Sequence, residues 1–167
     1  EHIGRGEVYQ ANLCRVLSTP VAAGEDIVAL HLALSHGNPA PYQSVISVPE
    51  VDVHVACASP ELFLRRDGDM LSSGPIKGTA PSPALLLEKD LAENVMIVDL
   101  VRNDLSRVAQ TGSVRVPDLL RVEEHPGLVH LVSDVECRLR RGVGWQDIFD
   151  ATFPPGSVTG APKHSAL

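Results

Sequence analysis

Lys77 stands in the segment GPIKGT, between Pro75 and Gly78. A lysine placed just after a strand can be presented into a cleft, and a neighbouring glycine lets a ligand approach the backbone. Such a lysine can anchor an anion; desolvated, its pKa falls and its amine becomes a nucleophile. By itself it also reads as a surface lysine in a turn. Asp90 and Glu93, in EKDLAEN, are three residues apart and share a helical face. Paired carboxylates suit Mg²⁺, a hard cation that takes oxygen ligands and often only one or two carboxylates. They also read as a solvated acidic face, with Lys89 pairing Glu93. His130 can hydrogen-bond a substrate, shuttle a proton or simply be satisfied within a sheet. Glu61, in ASPELFL, sits at a corner, where a carboxyl beside an apolar sheet can serve as a general acid or stay exposed.

Two further groups are less specific. Asp99, Arg102 and Asn103 interrupt the apolar run MIVDLVRND. Charges inside such a helix should pair if buried, so a buried polar network is expected there. The stretch GSVTG, with Ser157 between glycine and valine, offers hydroxyls and backbone N–H groups that can cradle an anion. Its spacing fails the G-x-x-x-x-G-K-[ST] phosphate loop. Lys163, after Pro162, reads as a surface charge at a helix start.

These residues need elements to position them. Residues 25–35, EDIVALHLALS, show helical spacing behind an acidic start. HGNPAP is a loop. Residues 44–48 and 51–58 are rich in valine and alternate as strands do. Asp67-Gly68 marks a hairpin between residues 62–65 and 70–72. Residues 84–108 form the longest helix candidate, with Leu87, Leu91, Val95, Val98, Leu105 and Val108 as its apolar face. Val114 and Val116 open a strand region. Over residues 129–139 the alternation is clear, with Val129, Leu131, Val135, Cys137 and Leu139 on one side and His130, Asp134, Glu136 and Arg138 on the other. Trp145, Ile148, Phe149 and Phe153 recur at the spacing of a short amphipathic helix. Runs of strands and helices with hairpin connections predict an α+β domain built on antiparallel sheet, with no linker or repeat.

The bulk properties narrow the function classes. The chain has 167 residues, 44% of them apolar and 21% charged, as in a globular domain with a real core. A formal net charge of -7 argues against nucleic acid as the main partner. No run is apolar and long enough for a membrane span, so neither a membrane nor a nucleic acid is expected as a partner. The three cysteines, Cys14, Cys57 and Cys137, show neither metal spacing nor an even disulfide framework, which fits a reducing cytoplasm.

Taken in order, GEVYQANL, ASPELFL, GPIKGT, KDLAENVMIVDLVRNDLSRV, HLVSDV and FPPGSVTGAPK resemble the successive blocks of the chorismate-binding enzymes. That family includes anthranilate synthase component I, aminodeoxychorismate synthase component I, and isochorismate and salicylate synthases. The resemblance implies two packed antiparallel sheets with helices outside, and a site in the cleft between them. It implies chorismate as substrate and Mg²⁺ as cofactor. By position, Glu93 matches the family's magnesium-binding glutamate and Asp90 its acidic neighbour. Gly78 and Thr79 match substrate-contacting positions, Glu61 the proposed general acid, His130 the histidine near the ring's reacting end, and Ser157 a substrate-side position. Gln10 falls where isochorismate-forming members carry a water-activating lysine, so an ammonia-using member is expected. Among these, anthranilate synthases usually read PIAGT and aminodeoxychorismate synthases PIKGT, so Lys77 points to the second branch, acting through a covalent lysine intermediate with ammonia from a glutamine amidotransferase. Anthranilate formation and a non-catalytic, partner-binding fragment are the alternatives. The family's pattern continues beyond GAPKHSAL, with further substrate and magnesium ligands. Residues 1–167 therefore read as a partial catalytic domain lacking its C-terminal part, with little or no activity expected from them alone.

Overall fold

A computed structural model describes residues 2–13, 15–21 and 24–166, apart from the side chain of residue 164; Cys14 lies outside the described residues. In chain order the elements are β1 (Gln10–Ala11), α1 (Ile27–Gly37), β2 (Tyr42–Val48), β3 (Val53–Ser59), β4 (Leu62–Asp67), β5 (Met70–Gly74), β6 (Ile76–Ala80), α2 (Glu88–Ser106), β7 (Arg115–His125), β8 (Leu128–Arg138), α3 (Trp145–Thr152), β9 (Gly160–Ala161) and α4 (Lys163–Ala166). They divide into two compact units, one of Glu1–Leu13 with Phe63–Leu167 and one of Cys14–Leu62.

The smaller unit is an antiparallel β2–β3 pair with α1 packed on it. Asp26 caps α1, its carboxylate accepting from the Val28 N–H at 2.9 Å, which satisfies an amide at the helix start that has no partner within the helix.

The larger unit is organised around β8. One edge of β8 pairs antiparallel with β7 along its length. Along the other edge, β5 pairs with residues 135–138 and β6 with residues 129–132, and β4 extends the sheet beyond β5. The alternation expected over residues 129–139 is present: Val129, Leu131, Val135, Cys137 and Leu139 are buried. The helices α2 and α3 cover that face, and the core closes over Leu71, Val98, Leu105, Val135, Cys137 and Ile148.

Two expected helical faces are corrected. The α-helix of residues 84–108 begins only at Glu88, because Pro83–Leu85 turn as a 3₁₀ helix and Leu87 is extended. The Asp90 carboxylate then accepts from the Leu87 N–H at 2.8 Å and starts the helix. Val98, Leu105 and Val108 are buried as expected, but Leu87, Leu91 and Val95 are exposed. Each four-residue step overshoots a full turn by about 40°, so Leu91 and Val95 drift off a row that runs instead through Asn94, Ile97, Val98 and Leu105. In α3 the buried residues are Ile148, Ala151 and Thr152. Trp145 and Phe149 stack on each other outside, ring centroids 5.6 Å apart, and Arg66 lies over the indole.

Candidate active site

The strand carrying Lys77 is irregular. Ile76 pairs with Val132 and Thr79 with His130, so Lys77 and Gly78 together face the single residue Leu131. Two residues against one is a β-bulge, which bends the strand and re-aims a side chain. Gly78 takes φ +91°, and a Cβ there would lie 2.9 Å from Leu131 Cδ1 and 3.0 Å from Asp90 Cβ. Only glycine fits both the backbone and the space.

From this bulge the half-buried Lys77 sends its Nζ to the carbonyl of Ser157, donating at 3.2 Å. The same carbonyl accepts from Asn12 Nδ2 at 3.2 Å. Asn12 also donates its backbone N–H to the Thr159 carbonyl at 2.8 Å. The GSVTG loop, the GEVYQANL segment and the GPIKGT strand therefore meet at one oxygen. Beside them Gln10 pairs with Ala161, and its Oε1 is buried with no hydrogen-bond partner among the described residues.

Thr79 Oγ1 and His130 Nδ1, cross-strand neighbours, are hydrogen-bonded at 2.8 Å. The His125 ring stands edge-on to His130 at 5.0 Å. Burial, and then the adjacent His125, hold the His130 pKa below its ordinary value, against an upward pull from Glu123. At neutral pH the imidazole is uncharged, able to accept at one nitrogen and donate at the other. Arg121 binds Asp118 at 2.8 Å, Asp134 at 3.1 Å and Glu123, and these partners, Glu123 foremost, raise its pKa.

Asp90 and Glu93 lie on the first turns of α2. Asp90 is half-buried, one carboxylate oxygen engaged at Leu87, while Glu93 is exposed. Among the described residues no group of three His, Cys, Asp or Glu could hold a metal. The donor set fits a cation that takes one or two carboxylates and completes its shell from substrate and water, as Mg²⁺ does. Glu61 belongs to the smaller unit, at the β3–β4 corner, where its N–H donates to Ser59 Oγ at 3.2 Å.

The polar network expected from Asp99, Arg102 and Asn103 is displaced. Asp99 and Arg102 pair at 3.0 Å, but both are exposed. The buried polar residues of α2 are Asn94 and Asp104. Lys163, expected as a surface charge at a helix start, is instead largely withdrawn from solvent. Its side chain is 11% exposed and its Nζ lies 2.6 Å from Oδ2 of Asp104, whose side chain is also 11% exposed, so the two opposite charges are largely withdrawn from water together. The same Nζ donates to the Thr152 carbonyl at 2.9 Å, tying the end of the GSVTG loop to α2 and α3.

A family model described as chorismate binding enzyme matches residues 1–167. The chain is similar to anthranilate synthase component 1 1 of Haloarcula marismortui, at 43% identity over 98% of this chain and 35% of that protein. It is similar to aminodeoxychorismate synthase component 1 of Klebsiella aerogenes, at 42% identity over 99% of this chain and 39% of that protein. The crystal structure of anthranilate synthase component I from Streptococcus pneumoniae TIGR4 superposes with a TM-score of 0.78 at 30% identity, covering 99% of this chain and 38% of that one. The α+β antiparallel fold implied by the sequence resemblance is thus the fold of the chain, which spans between a third and two-fifths of these relatives' length. With six ordered sequence blocks, this fold and a match over residues 1–167, the chain belongs to the chorismate binding enzyme family.

Proposed function

We propose that the chain is part of the aminating component of an aminodeoxychorismate synthase, which turns chorismate and ammonia into 4-amino-4-deoxychorismate and water. The observation that carries this reading is Lys77 itself, an amine aimed from a bulge at a shared backbone carbonyl. In neutral form it keeps an N–H for the Ser157 carbonyl and a lone pair for attack. That lone pair attacks C2 of chorismate, the double bond shifts, and the C4 hydroxyl leaves as water with the proton the amine gives up on forming the C–N bond. Ammonia from a glutamine amidotransferase then adds at C4, the double bond returns, and the Lys77 amine is expelled. Pyruvate is retained throughout.

Gly78, Thr79, His130 and Ser157 bind substrate in this scheme. The absent Cβ of Gly78 leaves backbone accessible, and the Thr79–His130 pair offers a neutral donor and acceptor. Glu93, with Asp90 beside it, would hold Mg²⁺, which when bound supplies charge neutralisation at a substrate carboxylate.

A second reading is anthranilate synthase component I, favoured by the 43% identical Haloarcula relative. Full-length protein containing this domain, given chorismate, ammonium salt and Mg²⁺, separates the two by mass spectrometry. Aminodeoxychorismate without pyruvate supports the first; anthranilate with stoichiometric pyruvate supports the second. Lys77→Ala is expected to cut amination by at least about a hundredfold. Full activity in that variant would remove the covalent step.

A further inference from the structure

The bulge that aims Lys77 leaves backbone groups outside the β6–β8 ladder, and buried groups of that kind need partners. Asn94, 1% exposed on the sheet-facing side of α2, supplies them. Its Nδ2 donates to the Lys77 carbonyl at 3.2 Å and to the Leu131 carbonyl at 2.9 Å, one from each strand at the bulge. Its Oδ1 accepts from Ser133 Oγ at 2.6 Å.

Ser133, fully buried, plays the same part on the opposite edge of β8. Asp118 pairs with Asp134 and Arg121 with Val132, so Leu119 and Leu120 face Ser133 alone, a second bulge. Leu120 holds φ +60°, unusual for a residue other than glycine, and its N–H donates to Ser133 Oγ at 2.9 Å. The Ser133 N–H donates to the Pro75 carbonyl at 3.2 Å, where β5 gives way to β6. Two bulges on either side of one strand are therefore joined through two side chains.

We infer that Asn94, braced by Ser133, is a positioning residue for Lys77. It holds the carbonyl of Lys77 in the bulged conformation and so sets where the amine stands relative to the Ser157 carbonyl. A hydrophobic residue at position 94 would leave both carbonyls buried without this donor, and the bulge would have to relax. Aspartate would turn an acceptor toward two acceptors. The catalytic consequence rests on the reading of Lys77 as the reacting amine; the positional one does not.

The test uses full-length protein containing this domain, in Asn94→Ala and Ser133→Ala forms whose folding is checked by thermal melts. Lys77 is labelled with acetic anhydride across pH and quantified by peptide mass spectrometry, with the exposed Lys89 as internal reference. In Asn94→Ala the Lys77 profile is expected to move while that of Lys89 stays; Ser133→Ala moves it less, in the same direction. For chorismate amination, kcat should fall on the order of a hundredfold, as for a misplaced reacting group, with KM for chorismate nearly kept. An unchanged Lys77 profile in folded Asn94→Ala overturns the inference whatever the activity does. Should Asn94→Ala fail to fold, an unchanged profile in Ser133→Ala overturns it. A Lys77→Ala enzyme that still aminates chorismate would sink the covalent mechanism, while a shifted profile in Asn94→Ala would still support the positioning.

Discussion

Replacing Lys163 by Met keeps most of the stem and removes the charge, leaving the Asp104 carboxylate buried without this countercharge. Both side chains are 11% exposed, so little solvent reaches either group to compensate. The Thr152 carbonyl, 2.9 Å from Nζ, loses its donor as well. Breaking a buried pair by deleting one partner costs about 3–5 kcal/mol. For a chain of this size each kcal/mol lowers Tm by roughly 2–4 °C, so a fall of about 6–20 °C is expected. Asp104→Asn should cost a similar amount. The double variant removes both charges, and its loss should fall short of the summed single losses by about 2–3 kcal/mol, within the range of coupling for residues in contact. Thermal and urea melts on all four proteins supply the cycle. A Lys163→Met protein within about 0.5 kcal/mol of the parent, as surface changes usually are, would refute the buried pair. So would single losses that simply add in the double variant.

Gly78→Ala combines a disfavoured φ of +91° with contacts of 2.9 and 3.0 Å, and is expected to lose roughly 2–5 kcal/mol in urea unfolding; a neutral result would refute the bulge geometry. His130 has a folded pKa below 6.5, so the unfolded chain takes up the proton first as pH falls. Its contribution to stability is therefore complete above pH 6.5 and lost as pH drops through the lowered value, and His130→Gln should flatten that slope in melts across pH. An unchanged slope would show that His130 does not drive it. Burial pushes the Cys137 thiol up to about 11, so native protein at pH 8 should resist iodoacetamide at Cys137 and react there only after unfolding. Rapid native labelling at that site would contradict the packing.

The alternation over residues 129–139 was legible because a half-buried strand repeats every two residues, and each buried position there is an apolar one or a serine with partners. The helix of α2 was legible too, but its face was not. Leu91 and Val95 satisfy an apolar pattern yet sit off the buried row, while Asn94 and Asp104 break the pattern and lie within it. Asn94 had one sequence signal, a lone amide in register with Ile97 and Val98. Lys163 and Asp104 had none, being far apart in sequence and meeting only through the tertiary fold. The bulge at Lys77 was out of reach for a similar reason. A segment's own residues do not state how many partners the facing strand will offer, and the count of two against one exists only once β6 and β8 are paired.

The central place of β8 also bears on the order in which the sheet assembles. His125 and Leu128 are paired across Pro126-Gly127, so the β7–β8 hairpin closes locally and at small entropic cost. Met70 must find Arg138, and Ile76 must find Val132, across most of the intervening chain, α2 included. Early zippering of β7 onto β8, followed by docking of β5 and β6 onto its open edge, is the sequence of events this connectivity favours. Lys77 and its bulge belong to the late-docking edge. Backbone amides of β6 should therefore exchange with solvent through openings that leave the hairpin intact, and reach full protection last.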